Sequence, residues 1–287
     1  PLGVQAAYVT DGGSFVQSVE FPAGTYALNF RAAAGGTRAI EVRVDDRVVG
    51  TYTPPAGSYK AFGTDFFTVD AGAHEIRFSA AGGEGTAWID GVGIERIAIP
   101  EQAEIGNGGF ETPAVTNGNG VKFGGTAGPW TFAATAGVIR NGSVFGAADA
   151  PEGTQAGYLQ TVNGAPGEFS QEALFPAGTY AITFQASRRA GFGGQQKFTV
   201  YVDDQAVGSF APSSGSYAAY TTDRFTFAAP GKHKVRFAAT TTTGDNTAFI
   251  DDIRIVPAPA PATELEPSAE TDAAPGPEAE PDAVPGP

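Results

Sequence analysis

The sequence contains no cysteine and no methionine. Without thiols, the chain cannot form disulfides, zinc–thiolate sites or a cysteine nucleophile. Histidine is almost as scarce, with 2 residues in 287, which argues against multi-histidine metal sites and histidine-based triads. The missing initiator methionine indicates a processed product or a fragment of a longer chain.

Basic residues are also few. The 17 Lys and Arg face 31 Asp and Glu, for a formal net charge of −14, and no basic run exceeds Arg188-Arg189. A surface that follows nucleic-acid phosphates needs clustered positive charge, so we expect no nucleic-acid partner. No apolar run approaches the roughly 18 residues of a membrane span, and we expect no membrane insertion.

What the chain does contain is an internal repeat. Residues 21–30 match 175–184 almost letter for letter, and residues 86–90 match 247–251. The offset is 154 residues at the start and 161 at the end, so each copy is a domain and not a short solenoid repeat. We predict two domains of one kind, at 1–100 and 104–256.

Within each copy, apolar and polar residues alternate, which is typical of strands with one buried face. Ile40, Val42 and Val44, for example, alternate with Glu41 and Arg43. No window shows a helical apolar stripe, and the 40 glycines favour many turns. We predict an all-β fold of two tandem β-sandwich domains of the jelly-roll type.

The first copy aligns only with residues 151–256 of the second, so it lacks opening strands. Open sheet edges and uncovered core invite pairing with another segment. We expect that truncation removed these strands, and a strand donated by a neighbour is the alternative. Residues 257–287 are rich in Pro, Ala and acids, so we predict a disordered linker to other domains of the same polypeptide.

Several motifs of the second copy occur in a recognisable order: Asn107-Gly-Gly-Phe-Glu111, Trp130, Pro176-Ala-Gly-Thr-Tyr180, Tyr217, Gly231 with His233, and Asp251-Asp252-Ile253. This set resembles the galactose-binding-like β-sandwich superfamily, and above all carbohydrate-binding modules whose first strand reads Asn-Gly-x-Phe-Glu. The resemblance implies a module that binds a polysaccharide or glycan without catalysis, in a secreted or cell-surface protein.

The resemblance also implies a metal ion. In the resembling modules, a structural calcium joins the first-strand Glu to the last-strand Asp, which here are Glu111 and Asp251. By strand parity, Asp251 falls on the side of Ile253 and Ile255, where a carboxylate needs a partner or a cation. Hard oxygen ligands suit Ca²⁺. The alternative is that Asp251 caps backbone amides at a bulge.

Side chains suited to sugar contact occur in the second copy. Aromatic planes pack on the apolar faces of sugar rings, and planar polar groups bond to the hydroxyls. We expect residues 188–196 to form a loop at the rim of the sandwich. The predicted ligand-binding residues are Trp130, Tyr158, Arg188, Arg189, Gln195, Gln196 and Tyr220. For Trp130 and Tyr158 the alternative is a place in the core.

The Asp-Asp pairs at 45–46 and 203–204 are predicted to form turns. Adjacent residues on a strand point to opposite faces, so such a pair cannot flank a glycosidic bond. We therefore predict a non-catalytic carbohydrate-binding or adhesion module of a larger secreted or cell-surface protein. A structural spacer without a glycan ligand is the alternative, and part of a glycoside hydrolase is the third.

Overall fold

The computed structural model describes residues 3–191 and 194–258, without the side chain of Ala134. Every regular element in this part of the chain is a β-strand, which confirms the all-β prediction. The predicted linker, residues 257–287, starts two residues too early, because Pro257 ends the last strand and the Ala258 N–H donates to the Thr179 carbonyl at 2.9 Å. The part from residue 259 onward lies outside the described residues. We call residues 3–100 the first unit and residues 104–258 the second unit.

The strands of the first unit pair only with one another. They are β1 (Ala7–Val9), β2 (Ser14–Phe21), β3 (Gly24–Ala34), β4 (Ile40–Val44), β5 (Arg47–Tyr52), β6 (Lys60–Gly63), β7 (Phe67–Val69), β8 (Gly72–Ala80) and β9 (Ala87–Arg96). One sheet has the order β1-β9-β3-β6, with β7 also paired to β3, and the other has the order β2-β8-β4-β5. All pairings of named strands are antiparallel, as expected for a sandwich.

The second unit repeats this arrangement and adds strands in front of it. Its strands are β10 (Val121–Ala127), β11 (Trp130–Arg140), β12 (Gln155–Val162), β13 (Ala165–Pro166), β14 (Glu168–Phe175), β15 (Gly178–Arg188), β16 (Phe198–Val202), β17 (Gln205–Phe210), β18 (Ala218–Thr221), β19 (Phe225–Phe227), β20 (Gly231–Ala239) and β21 (Asn246–Pro257). The order β17-β16-β20-β14 corresponds to β5-β4-β8-β2, and β12-β21-β15-β18 corresponds to β1-β9-β3-β6.

Strand β11 joins the two sheets of the second unit. Its first residues, Thr131 and Phe132, pair with β14, and residues 136–140 pair with β12. The strand therefore closes one side of the sandwich, where the sheets would otherwise end. Among the described residues, which begin at residue 3, the first unit has no counterpart of β10 or β11.

Each unit has its own aromatic core. In the second unit, Phe169 lies at the centre, with its ring centroid 5.1 to 5.5 Å from those of Phe110, Trp130, Phe132 and Phe237. In the first unit, the equivalent Phe15 packs on Phe78 at 5.2 Å. Burying rings of this size supplies much of the stabilisation of each sandwich.

The Asp-Asp turns and the histidines form one repeated contact. Asp45 has a positive φ of 51°, and its carboxylate accepts hydrogen bonds from His74 Nδ1 at 2.8 Å and from the Glu75 N–H at 2.9 Å. Asp203 and His233 are joined in the same way. These contacts tie a hairpin turn to the neighbouring strand, which agrees with the expectation of turn chemistry.

Candidate calcium and carbohydrate sites

Glu111 is held by a loop that precedes β12. The segment before it coils through positive φ values of 54° at Asn107 and 59° at Phe110, which brings the Glu111 side chain back toward that loop. The Thr154 N–H and the Gln155 N–H donate to Glu111 Oε1 at 2.8 and 2.7 Å, and Thr154 Oγ1 donates to Oε2 at 3.0 Å. The carboxylate thus fastens the opening segment to β12.

Gly153 allows this approach. Its φ is +62°, and a Cβ at this position would collide with the carboxyl group of Glu111. Only glycine combines the left-handed conformation with space for the neighbouring side chain at no steric cost. The position of the Glu111 side chain therefore depends on Gly153, which lies outside the motif of residues 107–111.

Asp251 is buried as expected, but on the opposite face from the one that strand parity indicated. Asp252 has a φ of +51° and forms a bulge, so the register against β15 shifts between Thr183 and Gln185. A bulge inserts one residue and reverses the alternation. Asp251 consequently pairs with Gln185, while Ile253 remains in the core. The parity prediction was wrong because simple alternation cannot show a bulge.

The two oxygens of Asp251 have different environments. The Glu152 N–H donates to Oδ2 at 2.9 Å, as the amide-capping alternative predicts. Oδ1 is buried and accepts no hydrogen bond from the described residues. Burial, together with the nearby Glu152 and Asp252 charges, raises the pKa of Asp251 to about 7. A buried carboxylate with an unused oxygen is a place where a cation would be stabilised.

Glu111 and Asp251 contact the same short loop. Glu111 binds the amides of residues 154 and 155, and Asp251 binds the amide of residue 152. Within the described ranges, no group of three or more His, Cys, Asp and Glu side chains could hold a metal ion. Because Ca²⁺ takes six to eight oxygen ligands, these two carboxylates fit calcium only if main-chain carbonyl oxygens of the surrounding loops complete the set.

Sequence reasoning missed three residues beside Asp251. The hydroxyls of Ser187 and Tyr217 are buried and have no hydrogen-bond partner in the described part of the chain. Burial and the Asp251 charge raise the pKa of Tyr217. The third residue is Glu152, whose backbone N–H donates to Asp251 Oδ2. The three come from a strand and two loops far apart in sequence, so no motif could have linked them, although Tyr217 is among the residues that carry the family resemblance.

Trp130 and Tyr158 lie in the core and are wrong as ligand residues. Each has a relative exposure of 0%. Trp130 packs between Phe110 and Phe169, and its Nε1–H donates to the Asn107 carbonyl at 2.9 Å. Tyr158 lies under Phe123 and Phe145. Neither ring offers a face to a sugar, so the core alternative is correct for both.

The rim loop uses most of its polar groups to hold itself together. Arg189 is 8% exposed, and its Nε–H donates to the Phe145 carbonyl while the guanidinium lies over the Phe145 ring. Gln196 is fully buried. Gln195 is half-buried and donates to the carbonyls of Ala211 and Pro212 at 2.7 and 3.1 Å. Arg189 and Gln196 are therefore structural, contrary to the ligand prediction.

Besides Gln195, two predicted ligand residues keep accessible surface. Arg188 ends β15 and is half-buried, with its N–H bonded to the Ser214 carbonyl at 2.8 Å. Tyr220 is half-buried in β18 with its ring stacked on Phe184 at 5.7 Å. Together with Gln195 they lie along the rim formed by β15, β18 and residues 211–217. This rim can offer hydrogen-bond donors and one ring edge to a ligand.

Comparisons with known proteins give a likeness of fold only. No protein-family model matches the chain, and no curated protein matches it in sequence. A structure of TmCBM61 in complex with beta-1,4-galactotriose is 19% identical, covers 54% of this chain and 97% of its own, and has a TM-score of 0.39.

Two further solved structures are similar in the same sense. The CBM22-1-CBM22-2 tandem domain of Xyn10C from Paenibacillus barcinonensis is 10% identical, covers 85% of this chain and 82% of its own, and has a TM-score of 0.37. A cyclase from Fischerella sp. is 16% identical, covers 57% and 98%, and has a TM-score of 0.41. These identities and TM-scores are too low to indicate a shared ligand or activity.

No helix among the described residues is long and apolar enough to cross a membrane.

Proposed function

We propose that this chain binds carbohydrate without catalysis, through the rim of the second unit. The proposal rests on one observation, that residues of the family motifs contact one another where the opening segment joins the β-sandwich. The segment that carries Asn107, Phe110 and Glu111 is fastened to the sandwich by these three residues and by Trp130. The residues that carry the family resemblance thus act together, which supports the resemblance on structural grounds.

The ligand-contacting residues in this proposal are Arg188, Gln195 and Tyr220. A guanidinium and a carboxamide bond to sugar hydroxyls, and a partly exposed ring packs on an apolar sugar face. A shallow site of this kind binds weakly, and linked modules gain avidity when they engage a polymer together. We propose a polysaccharide or glycan partner, and a place outside the cell or on its surface, with the residues from 259 onward joining the units to other domains.

The calcium ion is part of the same proposal, as a structural and not a reacting group. Glu111 and Asp251 would hold it from two sides of residues 152–155. Its charge would remove the cost of ionising Asp251 and would fix the opening segment against β12 and β21. The four predicted ligand residues that proved buried favour a second candidate function, a structural spacer that recognises no sugar.

A glycan array with the full chain tests the proposal. Arg188→Ala is expected to weaken binding at least about tenfold, because a charged hydrogen bond contributes about 1.5–3 kcal/mol. Arg224→Ala is the matched control. Arg224 is exposed and precedes β19, which pairs with β15 at the end opposite Arg188, so its loss should leave binding unchanged. Absence of binding across a broad array would favour the spacer.

A further inference from the structure

The outer face of β15 and β21 brings three further oxygen-bearing side chains to Asp251. Gln185 pairs with Asp251, and residues directly opposite each other in a sheet share a face. Ser187 lies two residues further along β15 and therefore on the same face. Tyr217 comes directly before β18, the other neighbour of β15, and its hydroxyl lies close enough to Ser187 and Asp251 to interact with both. We call these four residues the oxygen cluster.

The oxygen cluster is enclosed by the chain. Residues 145–150 pack over this face, where Phe145, Ala147 and Ala150 contact the apolar cluster that includes Tyr217. Asp251 Oδ1 and the hydroxyl oxygens of Ser187 and Tyr217 are all buried, and none has a hydrogen-bond partner among the described residues. Buried polar atoms are costly unless something bonds to them. Three of them in one place indicate a bound group that oxygen atoms can hold.

The two carboxylates of the proposed calcium site differ in the same respect. Both oxygens of Glu111 accept hydrogen bonds, from the amides of residues 154 and 155 and from the Thr154 hydroxyl. Asp251 accepts one at Oδ2 only. Its Oδ1 is therefore the carboxylate oxygen that a cation would stabilise most. Carboxylate and carboxamide oxygens are ligands that hard cations take, and Asp251 and Gln185 supply one of each.

The first unit carries a positive charge at the equivalent place. Arg31 pairs with Asp90 in the first unit, as Gln185 pairs with Asp251 in the second. Opposite charges on directly opposite residues of adjacent strands attract each other. The chain itself thus places a cation across from Asp90, whereas the side chain across from Asp251 is uncharged.

The hydroxyl of Ser187 differs between the units as well. Ala33 takes its place in the first unit, since each of the two pairs with the residue two positions before the aspartate. The unit with the arginine lacks the hydroxyl, and the unit with the hydroxyl lacks the arginine. Both differences exchange a fixed positive charge for neutral oxygen atoms. They point to a bound cation and not to water, because water would not replace the charge.

We propose that Gln185 and Ser187 are ligands of the cation at Asp251, with the Tyr217 hydroxyl closing the site, and that Arg31 takes the place of this cation in the first unit. The inference rests on the calcium ion of the proposed function and assigns to it residues that the Glu111 and Asp251 motifs do not contain. Calcium therefore stabilises the second unit, and Arg31 makes the same position of the first unit independent of it.

Gln185→Arg tests this exchange in the full chain, with Trp88→Phe so that Trp130 fluorescence reports urea unfolding of the second unit. In EDTA at about pH 8, the variant is expected to unfold at a higher urea concentration than the parent, because the guanidinium supplies the missing charge. Calcium should raise the urea midpoint of the parent and leave that of the variant unchanged. Thr183→Arg is the matched control, because Thr183 is half-buried on the same strand and pairs with Arg254. The same charge there should not raise the midpoint and should preserve the calcium response.

Ser187→Ala is the milder variant, since it places the residue of the first unit in the second. Calorimetric titration with calcium should show an affinity weakened about tenfold or more. Ser170→Ala should leave the affinity unchanged, because Ser170 lies on β14, which pairs with neither β15 nor β21.

Equal stabilisation of the parent and Gln185→Arg by calcium, or an unchanged affinity in Ser187→Ala, would overturn the inference and leave calcium to other ligands. Absence of any calcium effect on the parent would overturn it together with the ion. The glycan array is an independent readout. If no glycan binds while the calcium responses are as expected, the carbohydrate proposal fails and the cation site stands.

Discussion

The carboxyl group of Asp251 should make the second unit less stable as pH rises, unless a cation is bound. Its pKa is about 7 in the folded protein against 3.8 for the free side chain. A folded-state pKa above the unfolded value means that the folded state binds the proton more tightly. The contribution of the Asp251 carboxyl to the stability of the folded state is therefore greatest below about pH 4 and is lost as pH rises through about 7.

The size of the effect follows from the pKa difference. Each pKa unit corresponds to about 1.4 kcal/mol, so the ionised carboxylate of Asp251 lowers the free energy of unfolding of this domain by up to about 4 kcal/mol above neutral pH. Asp251→Asn removes the charge and keeps an oxygen for the Glu152 amide. In EDTA at about pH 8, we expect this variant to be more stable than the parent by up to that amount, with little difference near pH 4.

Calcium should reduce this difference. An ion held by Glu111 and Asp251 stabilises only the folded parent, by about 2.7 kcal/mol at a concentration one hundred times its dissociation constant. The Asn variant loses a charged ligand and should gain much less. Asp223→Asn is the control, because Asp223 is an exposed acid of the second unit away from Asp251 in the sequence, and surface substitutions usually change stability by less than about 0.5 kcal/mol.

Urea unfolding followed by tryptophan fluorescence can isolate the second unit. The chain has two tryptophans, Trp88 in the first unit and Trp130 in the core of the second. A Trp88→Phe background, which places the second unit's own residue at that position, leaves Trp130 as the reporter. If Asp251→Asn is less stable than the parent in EDTA at about pH 8, the reasoning about its burial is refuted. Identical unfolding with and without calcium would remove the ion from the proposed function.

Three further predictions concern the units themselves. Phe110→Ala should destabilise the second unit by about 3–5 kcal/mol, because it empties the space between Trp130 and Phe169, and the Trp130 unfolding curve measures this; a change below about 1 kcal/mol would show that the opening segment is not part of the core. Gly153→Ala should displace Glu111 and abolish any calcium-dependent stabilisation, since both its φ of +62° and the adjacent carboxyl exclude a Cβ; an unchanged calcium effect would separate Glu111 from the ion. The hydrogen bond between His74 and Asp45 raises the pKa of His74 and lowers the pKa of Asp45. The pair should therefore stabilise the first unit less as pH rises above about 6.5 and as pH falls below about 3.8. Unfolding detected by Trp88 fluorescence should show both losses of stability in the parent and neither in Asp45→Asn.

The repeat and the alternation of side chains determined the fold class. A period of two leaves one face of each strand apolar, and such strands can bury that face only against a second sheet. The matching residues at 21–30 and 175–184 fixed two units of one kind, and β3 and β15 occupy the same place in each.

Only the tertiary structure decided what the individual site residues do. Alternation could not reveal the bulge at Asp252, because its cause is one residue at positive φ, and that residue moved Asp251 to the other face. Composition could not separate a sugar-stacking ring from a core ring, since Trp130 has the same chemistry in both places. Its burial depends on β11 crossing from one sheet to the other. That crossing also explains why the two units differ in surface as described, because β11 has no counterpart among the described residues of the first unit.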